Sequence, residues 1–124
     1  MYQVILDKKI RFAIVGCGRI SKNHFGSVEK HKDHLELVAI CDIDREVLTL
    51  HKDRYQVKGY NKLEDMLEKE SLDLIAICTP SGIHSEQTVM AAKYGVHVMT
   101  EKPIATRWQD GLRMVRACDK AGVF

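Results

Sequence analysis

Apolar runs alternate along this chain with segments whose apolar residues recur three and four positions apart. The first run, Arg11 to Val15, places Phe12, Ala13, Ile14 and Val15 in a row, the near-continuous pattern of a strand covered on both faces. Leu35 to Cys41, a short piece around Val57 to Tyr60, Leu72 to Cys78, and Val96 to Thr100 repeat the signal. Between them the period changes. Ile20 to about Lys30 carries Ile20, Phe25 and Val28 on one side, which predicts a helix covering a sheet. Asp44 is a candidate N-cap for a helix through Val47, Leu48 and Leu50 to about Tyr55. Asn61 with Glu64 resembles a capping arrangement ahead of Leu63, Met66 and Leu67, in a helix that ends by Ser71. Thr79-Pro80 closes the fourth strand, because proline removes a ladder donor. Ser81 to His84 leads into a helix that runs to about Tyr94 and stops at Gly95. Thr106 with Gln109 forms a second capping match, and Trp108, Leu112 and Val115 fall at i, i+4 and i+7, a stripe that reads as core. Gly111 inside that helix costs up to about 1 kcal/mol against alanine, which predicts a neighbour in close approach. Gly122 ends the helix, and Val123-Phe124 reads as the opening of a further strand.

Strands alternating with helices of about ten residues define an α/β fold, a Rossmann-like doubly wound parallel sheet with helices on both faces and right-handed crossovers. Residues 1–9 read as an N-terminal tail, carrying Val4-Ile5-Leu6, and residues 10–124 as one domain that breaks off at the start of its sixth strand. A length of 124 residues suits one domain with one core, and a net charge of +2 gives no reason to expect nucleic acid or an anionic membrane as partner. No apolar run reaches the span of a bilayer and the start has no signal-peptide core, so the plain reading is a cytoplasmic protein. The four cysteines show no C-x-x-C spacing. Cys17, Cys41 and Cys78 would lie near one sheet edge, which leaves a shared metal as an alternative to the expected reading of small buried thiols and no metal. His24, His31, His34 and His51 lie on polar stretches and read as surface.

The chemistry gathers at the carboxyl ends of the strands, where ligands of such sheets bind. Gly16 lets the backbone leave the first strand through a tight turn, and Gly18, without a Cβ, lets a diphosphate approach the main chain. The helix that follows points unpaired N–H groups and its positive dipole end at that anion. Asp42, at the tip of the second strand, is placed to accept hydrogen bonds from the adenosine ribose and to repel a 2′-phosphate, favouring NAD over NADP. Arg45 offers a phosphate some attraction, so NADP stays as the less favoured cofactor. Ser21 stands where the pattern has its third glycine.

With these stations in place, the chain resembles the nucleotide-binding half of the glucose-fructose oxidoreductase/inositol dehydrogenase (Gfo/Idh/MocA) family. The resemblance is carried by Gly16-Cys17-Gly18-Arg19-Ile20, by Asp42, by Thr79-Pro80-Ser81 with His84, and above all by Gly95 to Thr100 followed by Glu101-Lys102-Pro103. It implies an NAD-dependent sugar oxidoreductase in which Gly16, Gly18, Arg19, Ile20, Asp42, Thr79, Pro80, His84, Glu101 and Lys102 contact the cofactor and Lys102 is catalytic. Oxidising a secondary alcohol builds negative charge on oxygen as hydride leaves, and a lysine beside it stabilises that charge and accepts the proton. His84 is otherwise a helix-entry histidine and Glu101 an exposed acid. Thr106-Arg107-Trp108 with Gly111 to Val115 and Ala117-Cys118-Asp119 resembles the branch that oxidises UDP-N-acetyl-glucosaminuronic acid at its 3-hydroxyl for bacterial surface polysaccharide. Ser81 departs from the asparagine often found there. The resemblance further implies a nucleotide-linked sugar substrate, a homo-oligomeric parent enzyme and a second α/β domain, so the expectation for this polypeptide alone is cofactor binding without turnover.

Two other functions share the same features. One is a non-catalytic NAD-binding sensor or scaffold module. The other is an adenosylmethionine-dependent methyltransferase, which also pairs a glycine turn with an acid at the end of the second strand but has no use for Glu101-Lys102-Pro103.

Overall fold

The computed structural model describes residues 4–124, so the first three residues of the expected tail lie outside it. Five parallel strands form one sheet in the order β3-β2-β1-β4-β5: β1 (Ile10–Val15), β2 (Leu35–Cys41), β3 (Lys58–Tyr60), β4 (Leu74–Ile77) and β5 (His97–Thr100). The helices are α1 (Ser21–Lys30), α2 (Arg45–Tyr55), α3 (Leu63–Lys69), α4 (His84–Lys93) and α5 (Trp108–Ala121), with a 3-10 turn over Ser81–Ile83. The strand order reverses direction between β1 and β4, which opens a crevice at their carboxyl ends. Among the described residues no helix is long and apolar enough to cross a membrane.

Alternation along the central strands splits the core in two. Phe12, Ile14, Ile40 and Ala76 face Phe25 and Val28 of α1 and Leu48 of α2. Ala13, Val15, Ile75 and Ile77 face Leu63, Met66 and Leu67 of α3 and Ala91 of α4. Both faces are therefore covered, which is why these strands read as unbroken apolar runs. Tyr55 stacks on Phe25 with ring centroids 4.1 Å apart and His51 adds a second layer at 5.5 Å, so His51 is half-buried rather than a surface residue.

Several local expectations give way to competing bonds. Strand β4 is shorter than its apolar run at both ends, and the Asp73 side chain just before it accepts the Arg11 N–H at 2.8 Å and pairs with Lys8 at 3.0 Å, tying the end of the tail to the domain. Asn61 does not cap α3: the cap position is Lys62, and the Asn61 amide nitrogen donates instead to the Asp42 carbonyl at 3.2 Å. Thr106 does not cap α5: the cap position is Arg107, with no side-chain bond to the helix. The stripe on α5 is not core either. Trp108 is 78% and Val115 52% exposed, whereas Met114 is buried. The helix packs through Met114 and leaves Trp108, Leu112 and Val115 around an open apolar hollow with Ile104. Phe124 lies beside β5, its carbonyl accepting the Val98 N–H at 2.9 Å.

Gly111 has no neighbour in close approach, because an added Cβ would stand 4.0 Å from the Ala105 Cβ, an ordinary contact. Gly111→Ala is therefore expected to stabilise the chain by up to about 1 kcal/mol. A raised urea midpoint with unchanged slope would show it.

Candidate functional site

The crevice begins where β1 ends. Gly16 has φ +88°, and its N–H donates to the Cys41 carbonyl at 2.7 Å. A Cβ there would sit 2.9 Å from the Cys78 carbonyl carbon and 3.0 Å from the Thr79 side chain, so the turn presses directly on the end of β4. Gly18 is the opposite case: a Cβ would meet nothing within 4 Å. The space in front of it is open to a ligand. Ser21, fully buried, donates its hydroxyl to the Gly18 carbonyl at 2.5 Å and so closes the turn that a third glycine would otherwise complete.

Anion binding at α1 is favoured by what the helix start lacks. Its cap residue, Ile20, makes no side-chain bond, and the first turn holds no acid. The start of α2 is by contrast filled by Asp44, whose Oδ1 accepts the Glu46 and Val47 N–H groups at 2.9 and 3.2 Å. Ser21 and Asn23 donate their N–H groups back to the Gly18 and Ile20 carbonyls at 3.1 and 3.2 Å, so what the start of α1 offers an anion is its positive dipole end, with Arg19 exposed beside it.

Asp42 does two jobs. Its Oδ2 accepts the Cys17 N–H at 2.8 Å, pinning the glycine turn, and its Oδ1 accepts the Asp44 N–H at 2.8 Å. Each oxygen has a lone pair left for a hydroxyl. The carboxylate is held from two sides, so it has little freedom to swing away from a 2′-phosphate. Asp42 and Ile43 face Thr79, Pro80 and Ile83 across a cavity of about 200 Å³ floored by Gly16 and Gly18. Ile43, 90% exposed, is an apolar side chain held in solvent at the mouth. It went unnoticed in the sequence because it sits between two acids.

Thr79 donates its hydroxyl to Gln87 Oε1 at 2.5 Å, which fixes the wall after β4. His84 is 1% exposed, with Nε2 2.7 Å from the Thr79 carbonyl and Nδ1 3.0 Å from the Pro103 carbonyl. Both ring nitrogens thus lie against backbone carbonyls, and whichever carries the hydrogen donates it. The imidazole ties the loop after β4 to the loop after β5 and leaves no nitrogen for a ligand in the cavity.

The loop after β5 carries Glu101 and Lys102. The Glu101 N–H continues the ladder to the Ile77 carbonyl at 2.9 Å, and its carboxylate lies 2.6 Å from His24 Nε2 on α1. That bond, with the charges of His24 and Lys102 behind it, holds the Glu101 carboxyl below the usual carboxylate range. His24, expected at the surface, is therefore half-buried in a bond across the site. A lowered acid contributes stability above its ordinary value of 4.5 and loses it as pH falls through the lowered one. Glu101→Gln is expected to flatten the acid side of the stability curve in that window, which urea melts across it would register. Lys102, next in the chain, is exposed.

The three cysteines under the turn are free and buried. Burial, with Asp42 and one another adding for Cys17, pushes the Cys17 thiol up to about 12. Burial likewise takes Cys41 and Cys78 up to about 12, with Asp42 and Glu101 respectively as the next cause. Such thiols stay protonated and make poor ligands. Among the described residues no group of three or more His, Cys, Asp or Glu is arranged to hold a metal ion.

A family model described as an oxidoreductase family with an NAD-binding Rossmann fold matches residues 10–124. The chain is similar to the WlbA dehydrogenase from Chromobacterium violaceum, solved in complex with NADH and UDP-GlcNAcA: 52% identity and a TM-score of 0.93, over 96% of this chain and 34% of that one. The WlbA dehydrogenase from Bordetella pertussis, also solved with NADH and UDP-GlcNAcA, is 50% identical with a TM-score of 0.92, over 94% of this chain and 36% of that one. Among characterised sequences, D-apiose dehydrogenase from Paraburkholderia graminis is 35% identical over 94% of this chain and 31% of its own length. The chain thus spans about a third of the length of these relatives.

Proposed function

The chain belongs to the Gfo/Idh/MocA oxidoreductase family, matched over the NAD-binding Rossmann fold, and on that premise we propose that it is the cofactor-binding part of an NAD-dependent enzyme oxidising the 3-hydroxyl of UDP-N-acetyl-glucosaminuronic acid for surface polysaccharide. The observation that carries the substrate is the 52% identity to a dehydrogenase solved with NADH and UDP-GlcNAcA. Identity to relatives named for other sugars is lower, 35% for the D-apiose enzyme and 30% for myo-inositol 2-dehydrogenase from Thermotoga maritima. The family match decides against the methyltransferase reading.

The residues present fit a dinucleotide. The open face of Gly18 admits a diphosphate, the uncapped start of α1 and Arg19 supply donors and positive charge, and Asp42 keeps a lone pair on each oxygen for ribose hydroxyls. Ile43 and Ile83, exposed on opposite sides of the cavity, offer apolar surface to a flat base. NAD supplies the hydride acceptor. Lys102 Nζ would hold the substrate hydroxyl, stabilise charge growing on its oxygen and take the proton. Substrate recognition and turnover then require polypeptide corresponding to the unmatched two-thirds of the relatives. A cytoplasmic setting and a homo-oligomeric enzyme accompany this reading, the former in keeping with the four free cysteines.

A chimera tests it: residues 10–124 of this chain in place of the matching segment of the Chromobacterium violaceum dehydrogenase. The rest of the chimera already recognises UDP-GlcNAcA, so this chain's cofactor site and Lys102 are expected to fit that substrate, with NADH formed from it at a rate within about tenfold of the intact dehydrogenase. A chimera that folds and binds NADH yet leaves UDP-GlcNAcA untouched would remove the substrate assignment.

A further inference from the structure

Lys102 is exposed, its backbone N–H and its charge both acting on the neighbouring Glu101 carboxylate, and the residues on either side of it are both gripped from other elements. On one side, Glu101 Oε1 lies 2.6 Å from His24 Nε2, a bond from α1 across 77 positions of sequence. On the other, the Pro103 carbonyl lies 3.0 Å from His84 Nδ1 at the start of α4. His24 stands in the first turn of α1, the helix whose start holds no acid and follows directly on the glycine turn. Its side chain and that of Glu101 are 15% and 23% exposed, so the bond is shielded from water. A short, shielded and charge-assisted bond is of the stronger kind.

We propose that His24 is a positioning residue of this site: by holding Glu101 it sets where Lys102 stands relative to the diphosphate-binding end of α1, while His84 holds the far side of the same loop. The proposal rests on the dinucleotide reading above. The chain's own geometry gives the reason for the arrangement. The diphosphate is seated on α1 and Lys102 on the loop after β5, so the reactive end of the cofactor is placed correctly only if those two elements are locked to each other. The His24–Glu101 bond is the direct lock. When Glu101 or His24 is changed, the adenosine and diphosphate part of the site, built by Gly18, Asp42 and the α1 start, is left intact.

The experiment compares NAD with ADP-ribose, which lacks only the nicotinamide, by calorimetry on this chain and on His24→Ala and His24→Gln. The chain itself is expected to bind NAD more tightly than ADP-ribose. His24→Ala should weaken NAD by about tenfold, because the nicotinamide end no longer meets a fixed loop after β5, and leave ADP-ribose within about twofold. His24→Gln, whose amide nitrogen can still donate to Glu101, should recover most of the NAD affinity. A purely structural role would weaken both ligands alike and would not be rescued, and that result overturns the proposal, as does an unchanged preference for NAD in His24→Ala. Failure of the unaltered chain to bind ADP-ribose is a different outcome. It would overturn the dinucleotide reading itself, and the proposal with it.

Discussion

Gly16→Ala is expected to destabilise the chain by roughly 2–6 kcal/mol. Two causes add. A non-glycine residue in the left-handed region costs about 1–3 kcal/mol, and Gly16 stands at φ +88°. The new methyl would also meet the Cys78 carbonyl carbon at 2.9 Å, backbone that cannot rotate aside, and overpacking of this kind costs about 1–3 kcal/mol. Against the 5–15 kcal/mol typical of a folded domain this is a large fraction. Relief by moving the end of β4 would shift Thr79 and Pro80, the far wall of the cavity, so ligand binding should fall as well. Gly18→Ala is the informative partner. Its Cβ meets no atom of the chain within 4 Å, so the urea midpoint should hold or rise slightly while cofactor binding is lost to a methyl in the diphosphate's place. Equal stability loss in both variants would contradict the distinction between a glycine needed by the fold and a glycine needed by the ligand.

Lys102→Met carries the largest expected effect on chemistry. In the chimera it should lower kcat by about 10²–10⁴-fold, the range for removing a positioned proton acceptor and charge stabiliser. NADH affinity should fall by no more than about tenfold, the loss expected when His24→Ala displaces the same lysine, because the diphosphate and ribose contacts come from other residues. Stability should also hold, since Lys102 is exposed and the loop is fixed by Glu101 and Pro103. Retained turnover would move catalysis elsewhere and favour the reading of this fold as a non-catalytic NAD-binding module.

What the sequence made legible follows from how local each signal is. Strands buried on both faces announce themselves as apolar runs, and the Asp44 cap is written in residues two and three positions away. The glycine turn and Asp42 were also readable, but the bond between them was not: Cys17 donates to a carboxylate 25 positions on. Asn61 and Thr106 have the spacing of caps, and in both cases the helix starts one residue later, with Lys62 and Arg107 at the cap positions. Trp108 shows the limit of periodicity, which identifies an apolar stripe without saying what it faces. His24 and His84 were least legible. Their roles depend on partners 77 and 19 positions away, and nothing in the adjoining residues distinguishes them from a surface histidine and a cofactor contact.

Asp42 links the fold to cofactor choice, because the carboxylate that would meet the ribose also pins the turn that would meet the diphosphate. The most direct measurement is calorimetric titration of this chain with NAD and with NADP, with Gly18→Ala as the control that leaves the fold in place. The prediction is saturable binding of NAD, at least about tenfold weaker binding of NADP, and loss of both in the control. A folded chain that binds neither, or that prefers NADP, would contradict the assignment of this crevice as an NAD site.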